Sequence, residues 1–430
     1  MEKKLTADNE IDIYWYPNRQ THSFCLSLYV RAGVLYESEE ENGITHFLEH
    51  VLFRNINHLM NGRMYREIDK LGLYFNGVTY KEFMQLYIIG APEHFRQAAD
   101  ILLRAFEPVA LPVSELETEK QRVKSEIREA DEFKSLDYFA GTFVWEKTPL
   151  SRSILGSRGT VSRFSRRKIA AYQRNVLSPG NVFFYVTGNV TDGEIEYLAR
   201  QAEKLSFAPD TDTETERRRN MAPVPERFGR RDGRIHVKNS SYCMIQFSYD
   251  LFAERYTGAE LALLYDILFS GENSLMHQEL SEKRGLIYSF SPALEKYCNI
   301  GRLCFTYEVA RKDLLRSLQV VRESLSAVGT DMEERLSLVL PEYTDNAYMV
   351  YDDNENFNWQ RAYESHIMGD KSRSIEETKA AFLQVSPDRL RAMAGEIFAA
   401  DNLVLCIMGD RTRVDVEEIR RACGADKKGG

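Results

Sequence analysis

At 430 residues the chain is too long for one ordinary domain and long enough for two, each with a sizeable core. Composition is that of a globular protein, 43% hydrophobic and 28% charged, and a net charge of −9 argues against a nucleic-acid partner, which needs a concentrated basic surface. No run reaches the apolar length of a membrane span, Met1-Glu2-Lys3-Lys4 opens no signal peptide, and the six cysteines form no C-x-x-C pair, so the expectation is a cytoplasmic protein with reduced, buried thiols and no membrane contact.

Residues 11–33 read as strand, with Phe24, Leu26, Leu28 and Val30 alternating against less apolar neighbours. The acidic stretch from Glu37 to Asn42 and Gly43 then opens a helix, because acidic residues suit a helix amino terminus. That helix carries His46, Glu49 and His50. Positions four apart share a face, so His46 and His50 can aim both rings at one point, with Glu49 close beside them. Ile44, Phe47, Leu48, Val51 and Leu52 supply the side that packs inward. Two neutral imidazoles on a rigid helix begin a zinc site, and a carboxylate beside them is the general base that hydrolysis at zinc needs. The same residues also fit two satisfied histidines on a buried helix.

A second helix spans Met64–Leu71, stopped by Gly72, and the stretch Tyr74–Tyr80 precedes a strand at Phe83–Ile89. An amphipathic helix follows at Glu93–Phe106. Beyond Pro112 a long helix runs from about Ser114 to Phe133. It carries Glu115, Glu117, Glu119, Glu126 and Glu129, and charge alone does not choose among them; a solvated face is the simpler reading of any one. Residues 141–180 read as interrupted helix, Asn181–Asn189 as a strand ending at glycine, and Asp192–Leu205 as a helix. A polar, proline-bearing linker covers 209–232 and includes the run Arg217-Arg218-Arg219.

Past the linker the chain repeats itself. Asn402–Asp410 and the helix after it, Val414–Arg421, mirror Asn181–Asn189 and its helix at an offset of 221 residues; Leu263–Phe269 mirrors Phe47–Phe53 at an offset of 216. Two copies of one fold are expected, a domain over 1–208 and a homologous one over 233–424. In the second copy the places of His46, Glu49 and His50 hold Ala262, Tyr265 and Asp266, so only the first can carry metal chemistry.

These residues resemble the inverted zincins, the H-x-x-E-H zinc peptidase family of pitrilysin, insulin-degrading enzyme and the mitochondrial processing peptidases. In that family the third zinc ligand is a glutamate about 75 residues past the second histidine; here Glu126 lies 76 residues past His50. Glu119, seven residues earlier, matches a family glutamate near the site. The resemblance covers nearly the whole chain. It implies an α+β fold of two homologous domains, each a mostly antiparallel sheet with helices packed on one side, forming half of a clam-shell and therefore a dimer. It implies one Zn2+ held by His46, His50 and Glu126, Glu49 as general base, Glu119 orienting the site, and an extended peptide bound near Asn76 and Tyr80. In the second domain, Leu280–Ser289 looks like the family stretch whose arginine and tyrosine grip substrate. Tyr288 is present, but Ser281 stands seven residues before it, where active members carry the arginine; the nearby Arg284 is no replacement.

The function implied is a zinc-dependent endopeptidase acting on short or unfolded peptides inside a dimeric enclosure. The broken pair points to the zinc-bearing subunit of a heterodimer, with a homodimer as the other possibility. Two readings compete: a non-catalytic scaffold subunit, and a module that captures peptides for a partner enzyme in a peptide-maturation complex. The intact His46-Glu49-His50 motif weighs against the first; the missing arginine favours the second.

Overall fold

The computed structural model describes residues 1–146, 148–207, 234–252, 255–297, 300–369, 374–410 and 415–424. The expected linker, 209–232, lies outside the described residues, as does Cys298. The strands are β1 (Lys3–Thr6), β2 (Asp12–Pro17), β3 (Phe24–Val30), β4 (Tyr74–Thr79), β5 (Met84–Gly90), β6 (Val182–Gly188), β7 (Arg234–Asn239), β8 (Met244–Asp250), β9 (Phe290–Tyr297), β10 (Ile300–Glu308) and β11 (Leu403–Gly409). The α-helices are α1 (Ile44–Leu59), α2 (Met64–Leu71), α3 (Phe95–Leu103), α4 (Val113–Ala130), α5 (Leu136–Val144), α6 (Arg158–Arg163), α7 (Arg166–Val176) and α8 (Asp192–Ala202), followed by α9 (Gly258–Phe269), α10 (Leu314–Ala327), α11 (Met332–Thr344), α12 (Asn354–Ala362), α13 (Ile375–Leu383), α14 (Pro387–Ile397) and α15 (Val416–Cys423).

The stretch expected as one strand over 11–33 is two, β2 and β3. The turn between them is built on Asn18, whose Oδ1 accepts from the Gln20 backbone N–H and whose carbonyl accepts from Thr21 Oγ1. The long helix ends at Ala130 rather than Phe133, because Asp131 takes the left-handed conformation (φ 44°) that aspartate tolerates.

The chain divides into two compact units, neither contiguous in sequence. The first takes Met1–Asp131, Arg152–Pro223 and Tyr348–Ser374; the second takes Glu132–Ser151, Val224–Ala347 and Ile375–Gly430. The first contains a sheet of order β1-β2-β6-β3-β5-β4, the second a sheet of order β7-β11-β8-β10-β9. Leaving out the extra edge strand β1, the orders correspond strand for strand. Each sheet has one parallel pair, β2 with β6 and β7 with β11, and is otherwise antiparallel. The internal repeat is therefore a repeat of topology.

All seven residues of β3 and of β6 are buried, so both faces of the first sheet are covered. One face presents Phe24, Leu26, Leu28, Phe184 and Val186 to the main core, shared with α1, α3, α4 and α7. The other face presents Ser27, Tyr29 and Tyr185 to α12. There Asn358 accepts from Tyr29 Oη at 2.9 Å and donates to the Tyr185 carbonyl at 2.9 Å, while Gln85 donates to Ser27 and Tyr29. Pairing these buried polar groups removes the penalty of covering that face. The second sheet is built alike. Ile245, Phe247, Phe305 and Leu405 face its core, and α5 covers the opposite face, where Asp137 accepts from Gln246 at 3.0 Å and Arg302 at 2.9 Å. The two covering helices start 218 residues apart, close to the repeat offset, so each half of the sequence lends the other unit its covering helix. Cys25, Cys243, Cys304, Cys406 and Cys423 are buried and free, and no helix among the described residues is long and apolar enough to cross a membrane.

Candidate metal centre

The amino terminus of α1 is fixed by a buried carboxylate. Glu37 Oε2 accepts the Gly43 backbone N–H at 2.8 Å and Oε1 that of Thr45 at 3.0 Å, two of the donors a helix start leaves unpaired. Gly43 sits at φ 89° against Gly156, whose Cα would lie 2.7 Å from any added Cβ, so this corner tolerates only glycine. Ile44, Phe47, Leu48, Val51 and Leu52 are fully buried, which orients the helix and turns His46, Glu49 and His50 toward α4 and β4.

Along the α1–α4 seam every glutamate that charge left ambiguous has a partner. Glu115 meets His58 at 3.5 Å, Glu117 meets Lys120 at 2.7 Å, and Glu129 lies 3.7 Å from its neighbour Arg128. Glu119, 1% exposed, bonds His50 Nδ1 at 3.0 Å through Oε1 and accepts from Arg54 Nε at 2.9 Å through Oε2. Glu126 lies between the two rings, Oε1 at 3.5 Å from His46 Nε2 and Oε2 at 3.3 Å from His50 Nε2. The ring centroids are 4.8 Å apart.

The donor atoms of His46, His50 and Glu126 all lie within 4.8 Å of one another. Tetrahedral zinc, with bonds of about 2.0–2.1 Å, spaces its donors about 3.3–3.4 Å apart. The 3.5 and 3.3 Å separations are of that size, and two imidazoles with one carboxylate are a donor set zinc accepts. The residues fit the ion.

Electrostatics agree with that geometry. Burial works against a charged His50, but hydrogen bonds to Glu119 and Glu126 outweigh it and raise its pKa from 6.5 to about 9 in the metal-free state. Hydrogen bonds from His46 and His50 hold the Glu126 carboxyl well below the usual carboxylate range. Burial would raise Glu119, yet His50 and Arg54 bring it below its ordinary value.

β4 closes the other side. Gly77 faces α1, and a Cβ there would meet Phe53 Cε2 at 2.8 Å and Glu49 Cγ at 3.0 Å. Thr79 Oγ1 donates to Glu49 Oε2 at 2.5 Å. The intervening positions face away: Asn76 donates to Tyr74 Oη at 3.0 Å and Tyr87 Oη at 3.3 Å, while the Tyr80 ring stacks on Phe83 at 4.4 Å beside Trp359. So the structure gathers His46, Glu49, His50, Glu119 and Glu126. It leaves the Asn76 and Tyr80 side chains on the opposite face of the strand. Tyr288 belongs to the second unit and is 96% exposed. Ser281 lies in a π-helical turn, His277–Glu282, and Arg284 is committed to Glu279.

Four residues at this centre go unread in sequence. Arg54 is one turn past His50, so helical spacing alone could have flagged it. Alternation along β4 puts Gly77 and Thr79 on one face, but only the fold tells which face meets Glu49. Glu37 stands in sequence as one member of an acidic run, and its reach over Gly43 and Thr45 has no local signature.

Residues 15–158 match the family model described as Insulinase (Peptidase family M16), and residues 163–336 match that of the Peptidase M16 inactive domain. The sequence is 22% identical over 412 residues to the uncharacterized zinc protease YmxG of Bacillus subtilis, covering 93% of this chain and 97% of that protein. Identity to the human mitochondrial-processing peptidase subunit beta is 26% over 178 residues, 41% of this chain and 36% of that one. A protease of Helicobacter pylori has the same fold in its crystal structure, with a TM-score of 0.83 at 16% identity over 95% of this chain and 99% of that one. Matched by both domain models and by a relative along nearly its whole length, and with the H-x-x-E-H residues converging beside Glu126, this chain belongs to the insulinase family of peptidases, M16.

Proposed function

We propose that this chain is a zinc-dependent endopeptidase acting on short or unfolded peptides, and that it is the zinc-bearing subunit of a heterodimer. The observation that carries the reading is the convergence of His46 Nε2, His50 Nε2 and the Glu126 carboxylate, with Glu49 beside them. Zinc bound there would act as a Lewis acid toward a water and a peptide carbonyl. Glu49 takes the proton of the attacking water and returns it to the leaving amine. Glu119 accepts from His50 Nδ1–H, which fixes the tautomer whose Nε2 lone pair faces the ion, and Arg54 steadies Glu119 in turn. β4 is the edge of its sheet, so an extended peptide can add as a further strand through main-chain hydrogen bonds.

Ser281 in the place of the family arginine favours the heterodimer, because serine offers no permanently charged fork for a substrate carbonyl. A companion subunit carrying the arginine and tyrosine would complete the site. That similarity extends to a subunit of a processing peptidase fits this reading.

The deciding experiment loads the purified chain with zinc and offers a quenched-fluorescent peptide mixture, with Glu49→Gln as the blank. The expected result is one zinc per chain, little turnover alone, and turnover on adding a companion of the same fold that carries the arginine, absent in the blank. Full turnover by the chain alone would remove the heterodimer. A chain that takes up no zinc would remove the peptidase and leave a peptide-capturing or scaffold subunit.

A further inference from the structure

Glu49 needs an anchor that the two histidines do not supply. It stands on α1 between them, three residues after His46 and one before His50, so its side chain leaves the helix about 100° away from that of His50. The neighbouring β4 offers what α1 lacks. Phe75, Gly77 and Thr79 point toward the helix: Phe75 packs on Phe53 with centroids 4.6 Å apart, Gly77 leaves the space that Glu49 Cγ occupies, and Thr79 Oγ1 reaches Glu49 Oε2 at 2.5 Å. That bond engages one carboxylate oxygen.

The same residues define the open edge of the sheet. The Tyr80 backbone N–H bonds the Phe83 carbonyl, so Tyr80 and Phe83 are a hydrogen-bonded pair, and by antiparallel alternation so are Val78 with Gln85 and Asn76 with Tyr87. The backbone N–H and C=O groups of Gly77 and Thr79 therefore point outward. On the Gly77 side Asn76 Oδ1 already accepts the amide at 2.9 Å. Thr79 thus has its hydroxyl on Glu49 and its main chain on the edge where a further strand would add.

From this geometry we infer that Thr79 is the positioning residue for Glu49: its hydroxyl holds the carboxylate in the orientation that takes a proton, and its main chain ties that orientation to the register of a peptide added at the β4 edge. The inference rests on the peptidase reading for its catalytic consequence, though not for the placement of Glu49 itself.

The test compares Thr79→Val, which keeps shape and strand preference but loses the hydroxyl, with Thr79→Ser, which keeps the hydroxyl. Zinc-loaded crystal structures of each are read for the Glu49 carboxylate, and kcat and KM are read in whichever assembly turns over peptide. Expected for Thr79→Val are a displaced or disordered Glu49 carboxylate, one zinc still bound, and kcat down about 10–100-fold with KM changed less than about threefold. Thr79→Ser should restore both the placement and most of kcat. An unmoved Glu49 in Thr79→Val, or a kcat equal to the parent's, overturns the inference, and so does a serine variant as impaired as the valine one. Turnover retained by Glu49→Gln would instead sink the base role while leaving the crystallographic reading of Thr79 intact.

Discussion

The two units place the same helix pair and the same edge strand around one spot and fill it differently. In the first, α1 meets α4 through His46, His50, Glu119 and Glu126, and meets β4 through Glu49 and Thr79. In the second, α9 meets α11 through Asp266, whose Oδ2 accepts from Tyr343 Oη at 2.6 Å, and approaches β9 through Tyr265, whose hydroxyl lies 3.5 Å from the Pro292 carbonyl. The second unit has one carboxylate and two tyrosine hydroxyls where the first gathers two imidazoles and three carboxylates. Its helix start differs too. α9 is closed by a local capping box, Thr257 with Glu260, while α1 depends on the distant Glu37. The scaffold is common to both; the chemistry lies in a handful of side chains placed on it.

The comparison breaks first if zinc does not need the α1–α4 seam. Glu126→Ala leaves two imidazoles and no carboxylate between them. Zinc content, by atomic emission after dialysis, should fall from one per chain to near zero, and turnover by more than about 1,000-fold. His50→Ala should do the same. Full zinc occupancy in Glu126→Ala would move the third donor to another residue.

The next effect is one of pH. His50 in the metal-free chain is held protonated up to about 9, whereas its unfolded value is the ordinary 6.5. A raised imidazole pKa stabilises the metal-free fold fully below 6.5, and that stabilisation is lost as pH rises through about 9. Zinc needs the neutral ring, so the sign reverses for the loaded protein. Each ion bound below about 9 must release close to one proton from His50, and apparent affinity should climb about tenfold per pH unit between 6.5 and 9. Calorimetry in buffers of different ionisation heat reads the proton directly, and a proton count near zero at pH 7 would contradict it. The second unit should contribute nothing to this profile.

Much of this contrast was legible in sequence, and the boundary of what was legible is physical. The His46-Glu49-His50 helix could be read because helical spacing is local and histidine is rare. The repeat could be read because Asn181–Asn189 and Asn402–Asp410 share a pattern. The choice of Glu126 among five glutamates came from family likeness, since each has the same charge and a plausible helix face. The exchange of α5 and α12 had no signal, because it depends on which distant helix covers a sheet face already rich in Ser27, Gln85 and Gln246. Family likeness sets Asn76 and Tyr80 together beside the bound peptide. The pleat turns both away from Glu49 and gives that contact to Thr79.

A smaller effect tests the bond that orients the site. In Glu119→Gln the amide can still accept from His50 Nδ1–H, but it cannot also offer a charged oxygen to Arg54. Zinc affinity should fall about 10–100-fold, the usual cost of disturbing a partner of a ligand, with fold and melting temperature of the loaded protein nearly kept. Arg54→Met should reproduce a part of that loss. Affinity unchanged in both variants would mean that packing alone orients His50.

The smallest effect belongs to the second unit, and it asks whether that unit is scaffold only. Asp266→Ala removes the acceptor of both Tyr343 Oη and Ser270 Oγ, each at 2.6 Å. Ser270 lies at the exposed end of α9 and can turn to water. Tyr343 is half-buried, its ring stacked on Phe382 at 4.0 Å, so its hydroxyl loses a bond it cannot easily replace. An unmet hydroxyl of that kind costs about 1–2 kcal/mol, or about 2–6 °C in melting temperature for a unit of this size. Because Asp266 occupies the place of His50 without its chemistry, zinc content and kcat should stay at the parent values while the melting temperature falls. A loss of zinc or of kcat in Asp266→Ala would mean that the α9–α11 seam is coupled to the metal centre, and the division between a chemical unit and a supporting one would have to be redrawn.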